Sequence, residues 1–214
     1  MKSLILGAAA LLAIVAGSAS AGDFAYNIDA TSDYVFRGLS QTNGKAAIQG
    51  GIDYTHGIYY AGTWGSTVDF ANGYEWDIYG GVRPTLGKTS FDFGAITYQY
   101  GEKGFNSTEF KAAVSHPLYK GTIGAAFYDN IDFGSTFYYE INGSYPLTDK
   151  LSLSGAVGEQ DASGAKYSTG NIGLTYAITP MWSLDARYSD TNIPETYFTK
   201  AAKPRVALTL KATF

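Results

Sequence analysis

Hydrophobic and polar residues alternate along the last part of the chain, 205–214. Val206, Leu208, Leu210, Ala212 and Phe214 fall on one side, and Arg205, Ala207, Thr209, Lys211 and Thr213 fall on the other. A period of two is that of a β-strand with two different faces. An exposed strand of this kind would promote aggregation unless a closed barrel takes up its edge. The stretch therefore favours the last strand of a barrel over its alternative, the terminal strand of a soluble sandwich.

Eleven segments upstream show related patterns. We predict strands within 24–37, 48–55, 59–68, 74–83, 89–100, 109–115, 122–128, 137–145, 151–160, 167–178 and 182–189. In the first of them, Tyr34 and Phe36 share the apolar side, whereas Asp33 and Arg37 share the polar side. With the final segment the total is even, as single-chain bacterial barrels require. The predicted fold is all-β, an antiparallel up-and-down transmembrane barrel of twelve strands.

Two local features interrupt this pattern. In the fifth segment, Phe91 and Phe93 occupy one parity but Ile96, Tyr98 and Tyr100 occupy the other, which predicts a bulge near Gly94. Between the first two segments, residues 38–45 read as a polar loop with an Asn-Gly turn signal at positions 43 and 44. A tight reversal is expected at His56-Gly57.

Four prolines recur just past even-numbered strands, namely Pro84, Pro117, Pro146 and Pro180. Proline cannot donate to a β-ladder, so these positions suit chain reversals. Their spacing matches one hairpin of two membrane-length strands, at about 9 to 11 residues per strand. We expect all four on the periplasmic side, with longer external loops at 101–106, 161–165 and 189–203.

The amino-terminal residues 1–21 have the features of a secretory signal peptide. Lys2 precedes an apolar run, and Ala19-Ser20-Ala21 forms a small-x-small cleavage site. The run is too short to span a bilayer as a helix. Residues 22–214 are then the barrel, and the loss of Lys2 moves the formal charge from −4 to −5. This acidic balance argues against nucleic acid as a partner.

Strand length indicates where the apolar faces point. Strands of soluble proteins commonly have about 5 to 6 residues, whereas most of these segments are nearer to ten. We therefore expect lipid outside and a wet lumen inside. The predicted lumen-facing acids are Asp29, Asp53, Glu75, Asp77, Asp92, Glu109, Glu140 and Asp185, and the bases are Arg83, Lys111, Arg187, Arg205 and Lys211.

This excess of acids predicts a weak preference for cations. Opposite charges could instead pair across strands and leave the interior nearly filled. Asp33 and Arg37 are further candidates for the outer mouth or a constriction, and a salt bridge that solvates the wall is the equally simple alternative for them.

Catalytic chemistry has little support. The two histidines are His56 and His116, both at predicted periplasmic turns, and Ser115 must point to the opposite face from its neighbour His116. With no cysteine, a disulfide or thiolate site is impossible. We predict no catalytic residue, no metal site and no cofactor.

A resemblance adds a more specific signal. The stretches 32–42, 49–54, 60–70 and 75–81 resemble the TorF family of porins of Gram-negative bacteria. The resemblance is sharp over 32–81 and looser, through pattern and length, over the rest of the chain. The similarity implies an outer-membrane barrel that acts as a diffusion channel, and it carries over no catalytic residue.

The expected function is passive diffusion of small hydrophilic solutes or ions across the outer membrane. The expected partners are outer-membrane lipids and the barrel assembly machinery, which would read the last strand ending at Phe214; the oligomeric state stays open. One alternative is a closed barrel with a structural or surface-interaction role. Another is a secreted soluble β-protein that binds an apolar ligand inside.

Overall fold

The structure is a computed structural model, and it describes residues 22–134, 136–162, 165–194 and 200–214. The predicted signal peptide lies outside the described residues. No helix in the described part of the chain is long and apolar enough to cross a membrane.

Twelve long antiparallel strands form the wall of the molecule. They are β1 (Asp23–Thr31), β2 (Ala47–His56), β3 (Tyr59–Thr67), β4 (Tyr74–Val82), β5 (Thr89–Tyr100), β6 (Ser107–Leu118), β7 (Gly121–Asn130), β8 (Thr136–Pro146), β9 (Leu151–Ala162), β10 (Ala165–Ala177), β11 (Trp182–Thr191) and β12 (Arg205–Thr213). Each strand pairs with the next one, and β1 also pairs with β12, so the sheet closes on itself. The predicted twelve-stranded barrel is confirmed.

The outward face of the wall is apolar and exposed. Residues that are at least 46% exposed include Phe24, Tyr26, Ile28, Trp76, Ile78, Phe93, Ile141, Val157, Val206 and Leu208. A soluble monomer rarely exposes such a continuous apolar surface. A belt of this kind is typical of barrels that stand in lipid.

The two ends of the barrel differ. Pro84, Pro117, Pro146 and Pro180 all lie at the end where β1 begins and β12 finishes, here called the turn end. At this end β2 and β3 are joined by two residues, with Gly57 at φ +59°. The opposite end, here called the loop end, carries the longer connections 32–46 and 192–204. The predicted loop 161–165 is the exception, because β9 and β10 continue their ladder to Ala162 and Ala165.

The first strand is shorter than its sequence pattern predicts. β1 ends at Thr31, and residues 32–46, here called the inner hairpin, turn into the barrel. Val35–Phe36 and Leu39–Ser40 pair within it as short strands. Tyr34 and Phe36 are 7% and 4% exposed, so their assignment to the outward face is wrong. The expected polar loop is likewise largely buried, including Gln41 and Thr42.

The inner hairpin supplies a hydrophobic core inside the barrel. Its buried members are Tyr34, Phe36, Leu39, Ala47, Trp64, Val68, Tyr79, Tyr167 and Ala202. Trp64 and Tyr79 belong to β3 and β4, whereas Tyr167 belongs to β10. The hairpin therefore packs against distant parts of the wall.

A second buried cluster, formed by Ala71, Tyr98 and Tyr100, explains the change of parity near Gly94, where the expected bulge is absent. The register of β5 with β6 continues without interruption, with Phe93 opposite Ala112 and Gly94 opposite Lys111. Phe93 points outward, and the fully buried Tyr98 points inward. The change of parity in the sequence reflects a second apolar surface inside the barrel, not a backbone irregularity.

Candidate functional site in the barrel interior

The tip of the inner hairpin is a sharp turn at Arg37 and Gly38. Their φ angles are +45° and +80°, in the left-handed region that favours glycine. A Cβ at position 38 would lie 2.5 Å from Thr169 Oγ1 and 3.1 Å from the carbonyl oxygen of Asp190. Glycine therefore permits both the turn and the close approach of the tip to β10 and β11.

Arg37 holds the tip against the far wall. Its Nη1 and Nη2 donate to Glu109 Oε1 and Oε2 at 2.9 and 2.8 Å, and Nη1 also donates to Gln160 Oε1 at 3.0 Å. Tyr98 Oη donates to Glu109 Oε2 at 3.0 Å. Burial alone would lower the pKa of Arg37, but the facing Glu109 carboxylate raises it. We call Arg37, Glu109 and Gln160 the tip latch.

Aromatic rings enclose the latch. The guanidinium carbon of Arg37 lies 4.2 Å from the ring centre of Tyr138, 4.9 Å from that of Tyr128 and 4.6 Å from that of Phe36. Such geometry adds a cation–π attraction that grows when water is excluded.

The base of the hairpin is held by Asp33. Its carboxylate accepts hydrogen bonds from Ser40 Oγ, Thr42 Oγ1 and Arg205 Nη1. Arg205 also donates to the carbonyl oxygens of residues 200, 201 and 203, in the connection before β12. Asp33 and Arg37, which the sequence places on one strand face, thus hold opposite ends of the hairpin.

A second charged group lies nearer the turn end. Asp92 Oδ2 is 2.8 Å from Lys111 Nζ and 3.3 Å from Arg83 Nε, and Asp92 Oδ1 accepts from Tyr60 Oη at 2.7 Å. The guanidinium carbon of Arg83 lies 3.9 Å from the ring centre of Tyr60. The single negative charge of Asp92 therefore faces the two positive charges of Lys111 and Arg83, and it can balance only one of them.

Two further pairs involve β11 and β12. Arg187 Nη2 lies 3.0 Å from Asp185 Oδ2, and Lys211 Nζ lies 3.7 Å from Asp29 Oδ2. Arg187 also donates to Asn171 Oδ1 and Ser154 Oγ at 2.7 and 2.8 Å.

Other predicted acids face inward with different partners. Asp53 accepts from Tyr79 Oη at 2.7 Å, and Glu140 accepts from Tyr138 Oη at 2.9 Å. Within the described residues, neither they nor Asp77 form an ion pair with a base. Glu75 and Asp77 are both 2% exposed on the inner face of β4.

The barrel interior therefore brings the predicted set together with an excess of acids. Together with Asp33 and Arg37, the eight acids and five bases of the sequence prediction give a set of nine carboxylates and six bases among the described residues. Sequence reasoning missed Gln160, Tyr98, Tyr128 and Tyr138 as neighbours of Arg37. Their inward parity is visible in the alternation, but nothing in the sequence links them to residue 37.

The remaining catalytic candidates are not brought together. His116 Nδ1 is 3.0 Å from Thr89 Oγ1 near the turn end, and Ser115 lies on the other face of β6. No group of three or more His, Asp or Glu side chains in the described part of the chain could hold a metal ion.

A protein family matches almost the whole chain. Its description is "Bacterial protein of unknown function (Gcw_chp)", and the match covers residues 15–214. The chain belongs to this family. The description assigns no activity, and no curated protein matches the chain.

Solved structures match the fold at low sequence identity. A structure described as "KdgM porin" has a TM-score of 0.66 at 7% identity, covering 91% of this chain and 99% of its own. The NanC porin gives 0.64 at 9% identity, with 88% and 98% covered. A KdgM porin in complex with disordered oligogalacturonate gives 0.61 at 7% identity, with 91% and 99% covered. This Gcw_chp chain thus has a porin-like barrel fold, a class that is generally not enzymatic.

Proposed function

We propose that this protein is a porin-like channel of the outer membrane, without enzymatic activity, for passive diffusion of small hydrophilic solutes or ions. The observation that carries the proposal is a closed barrel with an apolar outside and a charged inside. The resemblance of 32–42 and its neighbours to the TorF porin family agrees with it. In this proposal, residues 1–21 are removed on export and the loop end faces the exterior.

The inner hairpin is the proposed constriction. It lies inside the barrel toward the loop end, where Arg37 and Asp33 hold its two ends. The proposed lumen-lining residues are Asp53, Glu75, Asp77, Arg83, Glu109, Lys111, Glu140, Asp185, Arg187 and Arg205. Lipids contact the outer belt, and the strand ending at Phe214 is the proposed signal for the assembly machinery.

Charge suggests the class of solute. The KdgM porin structure contains oligogalacturonate, an oligosaccharide whose units carry carboxylates. The interior described above carries nine acids and six bases, which disfavours polyanions. We propose neutral or cationic small solutes for this chain.

One observation favours a second candidate function, a closed barrel with a structural or surface role. The hairpin and its aromatic neighbours bury Tyr98 and Gln160 completely, so the interior is densely filled at that level. In that case the interacting surface would be the external loops.

Conductance separates the two candidates. Purified protein is inserted into planar bilayers in 1 M KCl, and liposome swelling is followed in parallel with small neutral sugars. The channel proposal expects discrete current steps and sugar uptake, with none in protein-free membranes. Correctly folded barrels that give neither current nor swelling would overturn it and favour the closed barrel.

A further inference from the structure

A row of four residues crosses the inner wall on the turn-end side of the inner hairpin. Tyr60 of β3 is opposite Gly81 of β4, which is opposite Gly94 of β5, which is opposite Lys111 of β6. A Cβ at position 81 would lie 2.8 Å from Tyr60 Oη, and a Cβ at position 94 would lie closer still. The two glycines therefore leave a recess in the wall, and the side chain of Tyr60 lies across it toward β5.

The guanidinium of Arg83 lies over the ring of Tyr60, with its carbon 3.9 Å from the ring centre. The backbone N–H of Arg83 donates to the carbonyl oxygen of Ile58 at 2.7 Å, which fixes the residue just past the end of β4. Its Nε lies 3.3 Å from Asp92 Oδ2. Within the described residues, Nη1 and Nη2 of Arg83 donate to no carboxylate or carbonyl oxygen.

Positive charge is in surplus at this recess. Lys111 Nζ lies 2.8 Å from the same oxygen, Asp92 Oδ2, so both bases converge on one atom. Tyr60 donates to the other oxygen, Oδ1, at 2.7 Å and brings no charge. The neighbouring acid Asp53 accepts from Tyr79 Oη instead. In the part of the chain that the structure describes, no second carboxylate lies within ion-pair distance of either base.

The two bases are neither fully buried nor freely solvated. The side chains of Lys111 and Arg83 are 14% and 19% exposed, whereas that of Asp92 is 1% exposed. Water screens a surplus charge only partly at such low exposure, so a counter-charge from the lumen is favourable. The remaining exposure allows a small anionic group to reach both bases.

We propose that Arg83 and Lys111 form a subsite for a single carboxylate of a small solute. The fork of Arg83 Nη1 and Nη2 matches the two oxygens of a carboxylate, and Lys111 adds a point charge beside it. Asp92 and Tyr60 position the two bases. Because acids are in excess in the interior as a whole, the solute that fits best has one carboxylate and zero net charge, as a zwitterion does. Transport of such a solute rests on the proposed channel function, whereas its binding does not.

Saturation-transfer NMR on the full barrel in deuterated detergent tests the subsite without a measurement of transport. Acetate is the probe, and acetamide, which has nearly the same shape but no charge, is the matched control ligand. We expect saturable binding of acetate and no binding of acetamide. Arg83→Gln and Lys111→Gln should each weaken acetate binding by about tenfold, the loss expected for one charge-assisted hydrogen bond.

Lys211→Gln is the control variant. Lys211 is also an inward base, but it has its own carboxylate, Asp29, at 3.7 Å, so its loss should leave acetate binding unchanged. Circular dichroism verifies that each variant is a folded barrel. If a glutamine variant does not fold, Arg83→Lys replaces it. This variant keeps the charge but loses the fork, and it should bind acetate several-fold more weakly.

Three results would overturn the subsite. They are acetate that binds no better than acetamide, acetate that binds the folded variants of Arg83 and Lys111 as well as the wild type, and an equal loss of binding in Lys211→Gln. Acetate binding as expected in a barrel that gives no current would contradict the proposed channel function alone.

Discussion

At the scale of single residues, the tip latch shows how the interior tolerates a buried cation. The side chains of Arg37 and Glu109 are only 4% and 3% exposed, and two parallel hydrogen bonds join them. Bidentate pairs of this kind are strong, but most of their energetic importance appears when one partner is removed and the other stays buried.

Removal of Arg37 alone should therefore be more harmful than removal of the whole pair. We expect Arg37→Ala to lower the free energy of unfolding by about 3 to 5 kcal/mol, because Glu109 is left uncompensated. The double variant Arg37→Met/Glu109→Gln should recover most of that loss. Urea unfolding in detergent, followed by tryptophan fluorescence, measures both.

Arg187→Ala is the matched control for this comparison. The Arg187 and Asp185 side chains are 28% and 21% exposed, so water can solvate the remaining carboxylate. Arg187→Ala should therefore lower the free energy of unfolding by clearly less than Arg37→Ala does. The explanation is contradicted if Arg37→Met/Glu109→Gln lowers the free energy of unfolding as much as Arg37→Ala does.

At the scale of elements, the strands of the wall were predictable and the inner hairpin was not. Period-two alternation identified the wall because each strand has a lipid side and an inner side. The same period continues past Thr31 through Tyr34 and Phe36, although the chain has already left the wall. Alternation reports two different environments, but it cannot distinguish lipid from an apolar core inside the barrel. The turn is made by the positive φ angles of Arg37 and Gly38. An Arg-Gly pair in a sequence is too common to predict such a turn.

The hairpin should be removable without loss of the barrel. Residues 34–41 are not part of the ladder of the wall, since β1 pairs with β2 only up to Thr31 and Ala47. We expect replacement of residues 34–41 by a short Gly-Ser linker to increase single-channel conductance while the β-sheet circular dichroism spectrum is retained. A similar shortening of the loop at 131–134 is the control and should leave conductance unchanged. Equal conductance in the hairpin variant and the wild type would show that the hairpin does not restrict the path.

At the scale of the whole molecule, the charge of the interior is uneven. Some charged residues form ion pairs. Asp92 of β5 pairs with Lys111 of β6, and Asp185 pairs with Arg187 on β11. The excess resides in acids that hydroxyl or amide groups solvate, such as Asp53 and Glu140. The sequence predicted the sign of this excess, because parity gives the facing of each charge. It could not predict which charges pair, because pairing depends on side chains that reach across non-neighbouring strands.

Asp53 and Glu140, which form no ion pair within the described residues, should make the channel prefer cations. Reversal potentials in a KCl gradient should show K⁺ more permeant than Cl⁻, and the preference should weaken as salt screens the interior. Glu140→Gln should reduce the permeability ratio, because no base balances Glu140 within the described residues. Glu159→Gln removes the same charge from the outward face of β9, beside the exposed Tyr139, and should leave the ratio unchanged. An equal effect of the two variants would mean that net charge, not the lining of the path, sets selectivity, and anion preference in the wild type would refute the assignment altogether.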